Sequence, residues 1–553
     1  MAPRSILTTA VLASAILLGG IPATFGHGDE GHHEGMEMDK DPKPEGPHDP
    51  SYFALAEHKS VIYAHIAVML IGWVFVLPIA VMLSLAQSRY TLLVRVIFIA
   101  TNTFGLLLGI IYNTKTPDLY PNNSHHKLGW VVTLVVLAQI ALSVLGRFTP
   151  MFKTTTSPRL AKEQGLMSRA NNNGYTHVNG RAEINHHLLT SPSPTQFPVS
   201  PTETDRTEYN DDPSDNCDDT QQPVPVDFIA KPVPRMWKAL LLVHHFIDRT
   251  ILILAFITIC TGVVTYGRFF EKKKIFNGLA HWIKGGVFFW LGILTLGRWS
   301  GCFGELGWAW NVRPRTKQQR WRPSAEFVES GLIFFYGSTN IFLEHLGGWG
   351  GEWKEQDLEH LSITILFIGG GLTGMLIEST FIRELLNTEV VHDQDCEDDK
   401  DHDDSSPPEQ YSFSINPFPA LIILLLGIMM SSHTQGTMMS AMIHKQWGNL
   451  LAGASFARFM TYAIIYLKPP KSILPSRPPT ELLASFGLIA GGIIFMASAS
   501  DTVDGMINYE LDVMFMYTVT MGLVGLLMAW VIALIALKGW AVRKGVGSRT
   551  FTD

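Results

Sequence analysis

Seven of the chain's 20 histidines stand near the beginnings of long apolar runs, where an ionisable side chain costs enough to demand a reason. The first run, HIAVMLIGWVFVLPIAVMLSLAQSR, opens on His65, and a later one, HHKLGWVVTLVVLAQIALSVLGRF, opens on His125 and His126. If both runs are helices of the same direction, His65 lies roughly 7 Å below the membrane edge and His125 or His126 at a similar depth. Two neutral imidazoles at one depth, among apolar walls, are what six-coordinate haem iron takes as axial ligands. His65 with His125 or His126 is therefore a candidate site for one haem b. The alternative is that these rings hydrogen-bond backbone carbonyls at helix ends.

A second group lies toward the carboxyl terminus. FLEHLGG and DLEHLS place Glu344, His345, Glu359 and His360 at facing ends of two apolar runs, and SSHTQGTMMSAMIHKQWG carries His433 and His444. The last two are 11 residues apart, about three turns, so an unbroken helix would present both on one side. Four imidazoles and two carboxylates on one side could hold zinc, copper or iron. Ordinary interfacial residues are the alternative. Met429, Met430, Met438, Met439 and Met442 read as adaptable packing, and His27, His32, His33, Met36 and Met38 as a solvated tail that could bind copper or zinc loosely.

The elements that must position these residues follow from composition. The hydrophobic fraction is 47% and the charged fraction 16%, against about 25% charged in soluble domains, so much of the surface must face lipid. The net charge of -7 comes without a basic stripe, which argues against nucleic acid as a partner. The four cysteines are scattered and match neither a disulfide framework nor a zinc spacing. GGGLTG at 369–374 and GLIAGG at 487–492 suit close helix packing.

Runs of spanning length fall near 60–85, 91–113, 126–147, 238–265, 279–299, 326–345, 359–381, 418–443, 447–467, 481–500 and 511–537. The expected fold is an all-α integral membrane protein of about eleven spans, preceded by a cleaved signal peptide at 1–26 and a His-, Met- and acid-rich tail at 27–58. Polar, Pro- and Ser-rich stretches at 148–235 and 388–416 read as disordered cytosolic loops and separate span groups 60–147, 236–381 and 417–540. A signal peptide puts the amino terminus outside. Arg89, the run from Arg313 to Arg322, Lys468, Lys471, Arg477, Lys538, Arg543 and Lys544 then fall on cytosolic ends, as positive charge should. One loop breaks the rule, since Arg268, Lys272, Lys273 and Lys274 fall outside. The NNSH motif offers Asn122 as a glycosylation acceptor on that outer side. The expected location is a membrane of the secretory pathway: plasma membrane, vacuole or endoplasmic reticulum.

Two resemblances add to this reading. Residues 60–267 resemble the transmembrane cytochrome b family that passes electrons from ascorbate to ferric iron or monodehydroascorbate: His65, Trp73 and Pro78 match its His, Trp and Pro, and HHKLG and HHFID match its paired helix-start histidines. That resemblance implies haem ligation and ferric or cupric reduction, with His244, His245 and His281 as further ligand candidates. The chain departs from it in TLLVRVIFIATNTFGLLLGIIYN, which has no histidine for a second haem and offers Arg95, Thr101 and Asn102 instead. The order of features over nearly the whole chain, through FYGSTNIFLEHLGGW and DLEHLSITILFIGGGLTGMLIES to the closing KGW, is similar to the fungal YTP-type family of multi-pass membrane proteins. This second resemblance implies a topology without a reaction. A membrane-bound metal sensor, receptor or transporter, and a structural protein without catalysis, are the readings that compete with a haem redox protein.

Overall fold

The computed structural model describes residues 50–148, 235–271, 274–310, 323–345, 355–388, 413–432, 435–470, 472 and 474–547. The expected signal peptide, the tail through residue 49, the polar insert and most of the acidic stretch at 388–416 lie outside the described residues. Within them every regular element is helical. In chain order these are α1 Lys59–Leu85, α2 Thr91–Lys115, α3 Ser124–Phe148, α4 Arg235–Gly267, α5 Ile275–Ser300, α6 Ala325–His345 and α7 Glu355–Glu378. There follow α8 Thr380–Leu386, α9 Phe418–Ser432, α10 Met438–Leu467, α11 Pro479–Ala497, α12 Ser500–Asn508 and α13 Val513–Gly547.

Nine stretches among the described residues are long and apolar enough to cross a bilayer: parts or all of α1–α5, α7, α10, α11 and α13. The expectation of eleven differs at two elements. Helix α6 has 21 residues but carries Glu326, Glu329 and Glu344. Helix α9 has 15 residues, roughly 22 Å of helix against a hydrocarbon core of about 30 Å. The break expected near 443–447 is absent, because α10 runs unbroken through His444, Lys445 and Gln446 for 30 residues. The break falls earlier, between Ser432 and Met438, where the Thr437 hydroxyl caps α10 by accepting from Ser440 N at 3.1 Å. The helix that carries His444 thus begins only at Met438, and His433 lies outside the described residues.

Side chains point outward in apolar shells. Leu93, Val96, Phe104 and Leu107 of α2, Leu242 and Phe246 of α4, and Leu523 and Leu526 of α13 are all exposed, which is the surface a bilayer requires. Calling the end at which α1 begins the near face, α3, α5, α10 and α13 also begin there, and α2, α4, α6, α9 and α11 begin at the far face. Two packed bodies result. Helices α1–α4 close over Trp73, Phe98, Val132, Val136 and Ile251, while α5–α12 close over Trp447, Leu451, Leu488 and Phe495. Span group 236–381 is thus divided: α4 packs on α1 and α3, and α5 packs on α11. That last contact needs bare backbone, since a Cβ on Gly285 would stand 2.5 Å from Gly492 O and one on Gly492 2.6 Å from Gly285 O.

Helix α13 joins the bodies by touching both α1 and α11. Its Trp530 Nε1 donates to Val74 O at 3.0 Å. That carbonyl is available because Pro78, four residues on, has no N–H to give it, and the helix widens to a π turn over Ile71–Val76. The near face is tied by polar contacts. Arg268 pairs with Glu271 at 3.1 Å, and Lys274 reaches Asp501 at 2.8 Å and Asp504 at 3.1 Å on α12. Two of the four cations that broke the charge rule are thus matched by acids on the same face.

Candidate functional site

His65 on α1 rests on α2. Its Nδ1 lies 2.7 Å from Gly105 O, and a Cβ on Gly109 would come 2.9 Å from its ring. His125 on α3 rests in the same way on α4, with Nδ1 3.2 Å from Thr258 O and 3.3 Å from Thr261 Oγ1, and its ring fills the space a Cβ on Gly262 would need. His126, one position on, is exposed, so the pair is His65 with His125. A backbone carbonyl on Nδ1 is the bond expected of an ordinary intramembrane histidine, the alternative to haem ligation, and it leaves the lone pair on Nε2, the tautomer that metal-bound imidazoles use.

At the far end of the same bundle the residues do not fit one. His244 faces Ser143 Oγ through Nε2 at 2.8 Å and Asp248 Oδ2 through Nδ1 at 3.6 Å. Arg95 of α2 donates to Asp248 Oδ1 at 2.8 Å, to Ser84 Oγ at 3.1 Å and to Ser143. Ser84 and Gln139 also donate to Asp248. The space left between Arg95, Gln139, Asp248 and the surrounding apolar side chains is about 10 Å³, near the room of one water. His245 is exposed on α4, its ring 5.9 Å from that of His244. A guanidinium–carboxylate network stands here instead of a second ligand pair.

In the second body, the proposed metal cluster is brought together only in part. His444 on α10 is buried, its Nδ1 2.8 Å from Ser440 O, and its ring lies 6.1 Å from that of His281 on α5. His281 Nδ1 is likewise 2.9 Å from its own helix at Asn277 O. His360 is half-buried on α7 and Glu359 is exposed. The side chains of Glu344 and His345, and all of His433, lie outside the described residues. No group of three metal-ligating side chains occurs among the described residues. Nearby, Lys284 Nζ lies 6.0 Å over the Tyr336 ring, Tyr336 donates to Asn340 Oδ1 at 2.9 Å, and Asn340 donates to Thr364 Oγ1 at 2.9 Å.

The most charged site was not anticipated at all. At the far ends of α5, α6, α10 and α11, five ionisable residues with exposures of 0–6% meet: Arg298, Glu326, Glu329, Arg458 and Glu481. Arg298 donates to Glu326 at 2.7 Å, to Glu329 at 3.3 Å and to Trp308 O at 2.8 Å. Arg458 donates to the other Glu329 oxygen at 3.3 Å and to Thr295 Oγ1 at 3.1 Å, and its Nε lies 2.9 Å from Glu481 Oε1. The Trp310 ring covers both guanidinium groups at 4.5 and 5.7 Å. The signal for this site in the sequence is that charged residues inside apolar runs must find partners.

The stacked rings of Trp447 and Phe495, with centroids 4.1 Å apart, belong to the apolar core between the His281–His444 pair and these charges. Both polar groups are carried on α5 and α10, with α6 and α11 supplying neighbours at each end.

No solved structure matches the chain. A family model described as "Protein YTP1-like, C-terminal" matches residues 254–539, and one described as a domain of unknown function (DUF2427) matches 47–149. An uncharacterized membrane protein of Schizosaccharomyces pombe is 33% identical over 503 residues, covering 87% of this chain and 94% of that protein. A second, from Saccharomyces cerevisiae, is 40% identical over 322 residues, 54% of this chain and 48% of its own length. Protein YTP1 of Saccharomyces cerevisiae is 23% identical over 265 residues, 47% of each chain. With one model covering more than half the chain and a relative matched almost end to end, this multi-pass membrane protein belongs to the YTP1-like family.

Proposed function

We propose that the chain is a membrane transporter for a divalent metal cation, with its path along the contacts of α5, α6, α10 and α11. The observation that carries this reading is that α5 and α10 hold polar groups at both ends of one apolar core, with α6 beside them at each end and α11 adding Glu481 at the far one. Near the entry, the His281 and His444 rings offer the imidazole ligands that zinc or iron(II) prefer. Beyond the Trp447–Phe495 stack, the carboxylates of the far-face cluster offer a polar exit. In this reading the far face is cytosolic, consistent with Arg89, Lys538, Arg543 and Lys544 at that end. Uptake of zinc and iron(II) into vesicles of purified protein is the test. Uptake that falls on His444→Ala supports the proposal, and folded wild-type protein that moves neither ion removes it.

A second reading is supported by the Nδ1 contacts of His65 and His125: one haem b held by these two residues in the near half of α1–α4. Haem b would supply a one-electron couple suited to reduction of ferric or cupric ions. The chain's part is to fix both imidazoles against Gly105, Gly109 and Gly262. Gently solubilised protein from haem-replete cells should then show low-spin b bands that vanish on His65→Ala, and colourless folded protein would exclude this reading.

A further inference from the structure

We infer that the far-face cluster of α5, α6, α10 and α11 is a proton-binding site that holds one proton at neutral pH, seated on Glu481. The first step is a charge count. Arg298 and Arg458 bring two positive charges and Glu326, Glu329 and Glu481 three negative ones, within side chains all but sealed from solvent. Removing an uncompensated charge from water costs several kcal/mol even after relaxation, and taking up a proton is the least costly way for a buried carboxyl to avoid it.

Hydrogen-bond geometry then chooses among the three carboxyls. Glu326 and Glu329 each accept aligned guanidinium N–H bonds, Glu329 from both arginines, one at each oxygen. Glu481 is different. Its Oε1 is 2.9 Å from Arg458 Nε, yet that N–H is not aligned on it, and both Glu481 oxygens and Arg458 Nε lack a hydrogen-bond partner. A carboxylate that accepts no aligned guanidinium N–H, with only the Thr461 hydroxyl beside it, is the one of the three least stabilised as an anion.

The groups that face it are Arg458 and the Thr461 hydroxyl of α10, Arg298 of α5 and Glu329 of α6, and Tyr462 of α10 turns its hydroxyl to Glu326 instead. From α13, Lys538 lies at the same end, within range of Cys302. The count rests on the cluster alone and stands whether or not the chain carries a metal. If it does carry one, this proton is the species available for exchange against it.

Infrared absorption of purified full-length protein in lipid nanodiscs tests the assignment. The wild type minus Glu481→Gln difference should contain a carboxylic-acid carbonyl stretch that shifts in heavy water, and the variant should lose it. The amide matches a neutral acid in size and charge, so the variant should accumulate and melt near the wild-type temperature. A difference spectrum with only carboxylate bands, or a Glu481→Gln protein that fails to fold, overturns the seat at Glu481.

Discussion

Arg95 and Asp248 show what a charged residue needs inside an apolar bundle. In a bundle otherwise lined by Leu, Val and Phe, each would be intolerable alone, and their 2.8 Å contact with Ser84, Ser143, Gln139 and His244 around them makes a closed polar island. Breaking a buried pair from one side leaves the partner uncompensated at a cost of about 3–5 kcal/mol, whereas replacing both by apolar residues is often neutral. Asp248→Leu should therefore lower the thermal stability of the purified protein strongly, and Arg95→Met with Asp248→Leu should regain much of the loss. An additive double variant would mean that the two are not a unit. The glycines under the histidines make a second prediction at this scale. Gly109→Val places methyl groups where the His65 ring sits, so it should destabilise the near end of α1–α4 by about 1–3 kcal/mol, read as a lower melting temperature.

At the scale of elements, close packing of α5 on α11 is set by Gly285 and Gly492, whose would-be Cβ atoms meet backbone rather than a side chain that could turn away. Gly285→Ala should separate these helices and lower stability by more than the same change at Gly453, where a Cβ meets nothing within 4 Å. Equal effects at the two positions, measured by thermal unfolding, would refute the contact. Helix existence was legible in the sequence, because an apolar run of about 20 residues has few other fates. Position within α9 and α10 was less so: His444, Lys445 and Gln446 look like a loop, yet tertiary burial of His444 keeps them helical, and the Thr437 cap fixes the break upstream. For the sites, the depth match of His65 and His125 could be read from residue counts. Their actual partners, Gly105 O and Thr258 O, could not, because they depend on which helices are neighbours. The same gap hid the Arg298–Glu326–Glu329–Arg458–Glu481 cluster, whose members are spread over 183 positions and become a site only when four helices converge.

Across the whole molecule, the two bodies meet directly where Phe256 of α4 stacks on Phe289 of α5 and are bridged by α13, and Trp530 is where the bridge can be tested. Trp530→Phe takes the indole donor from the half-buried Val74 O, which should cost about 1 kcal/mol. Pro78→Ala restores a backbone N–H four residues along α1, so the loss from Trp530→Phe should shrink in that background. A loss of equal size in both backgrounds, measured by thermal unfolding, would show that the indole acts by packing against Phe75 alone. Orientation belongs to this scale too. Tags appended after Asp553 should be reached only from the cytosol, and Asn122 only from the opposite side. A glycan-free Asn122 together with a lumenal tag would invert the protein.

The Trp530–Val74 bond also bears on the order in which the protein is made. Helix α1 emerges from the ribosome more than 450 residues before its hydrogen-bond donor does, since the two partners are separated by 456 positions. During that interval the first transmembrane segment enters the bilayer with a bare carbonyl at its π turn, a polar defect that lipid cannot satisfy. Until the last helix arrives, that carbonyl must accept water or another borrowed donor, so insertion of α1 and its final docking are separate events. Synthesis halted before residue 530 should leave α1 inserted but without its partner, exposing to membrane quality control a marker that only a finished chain conceals.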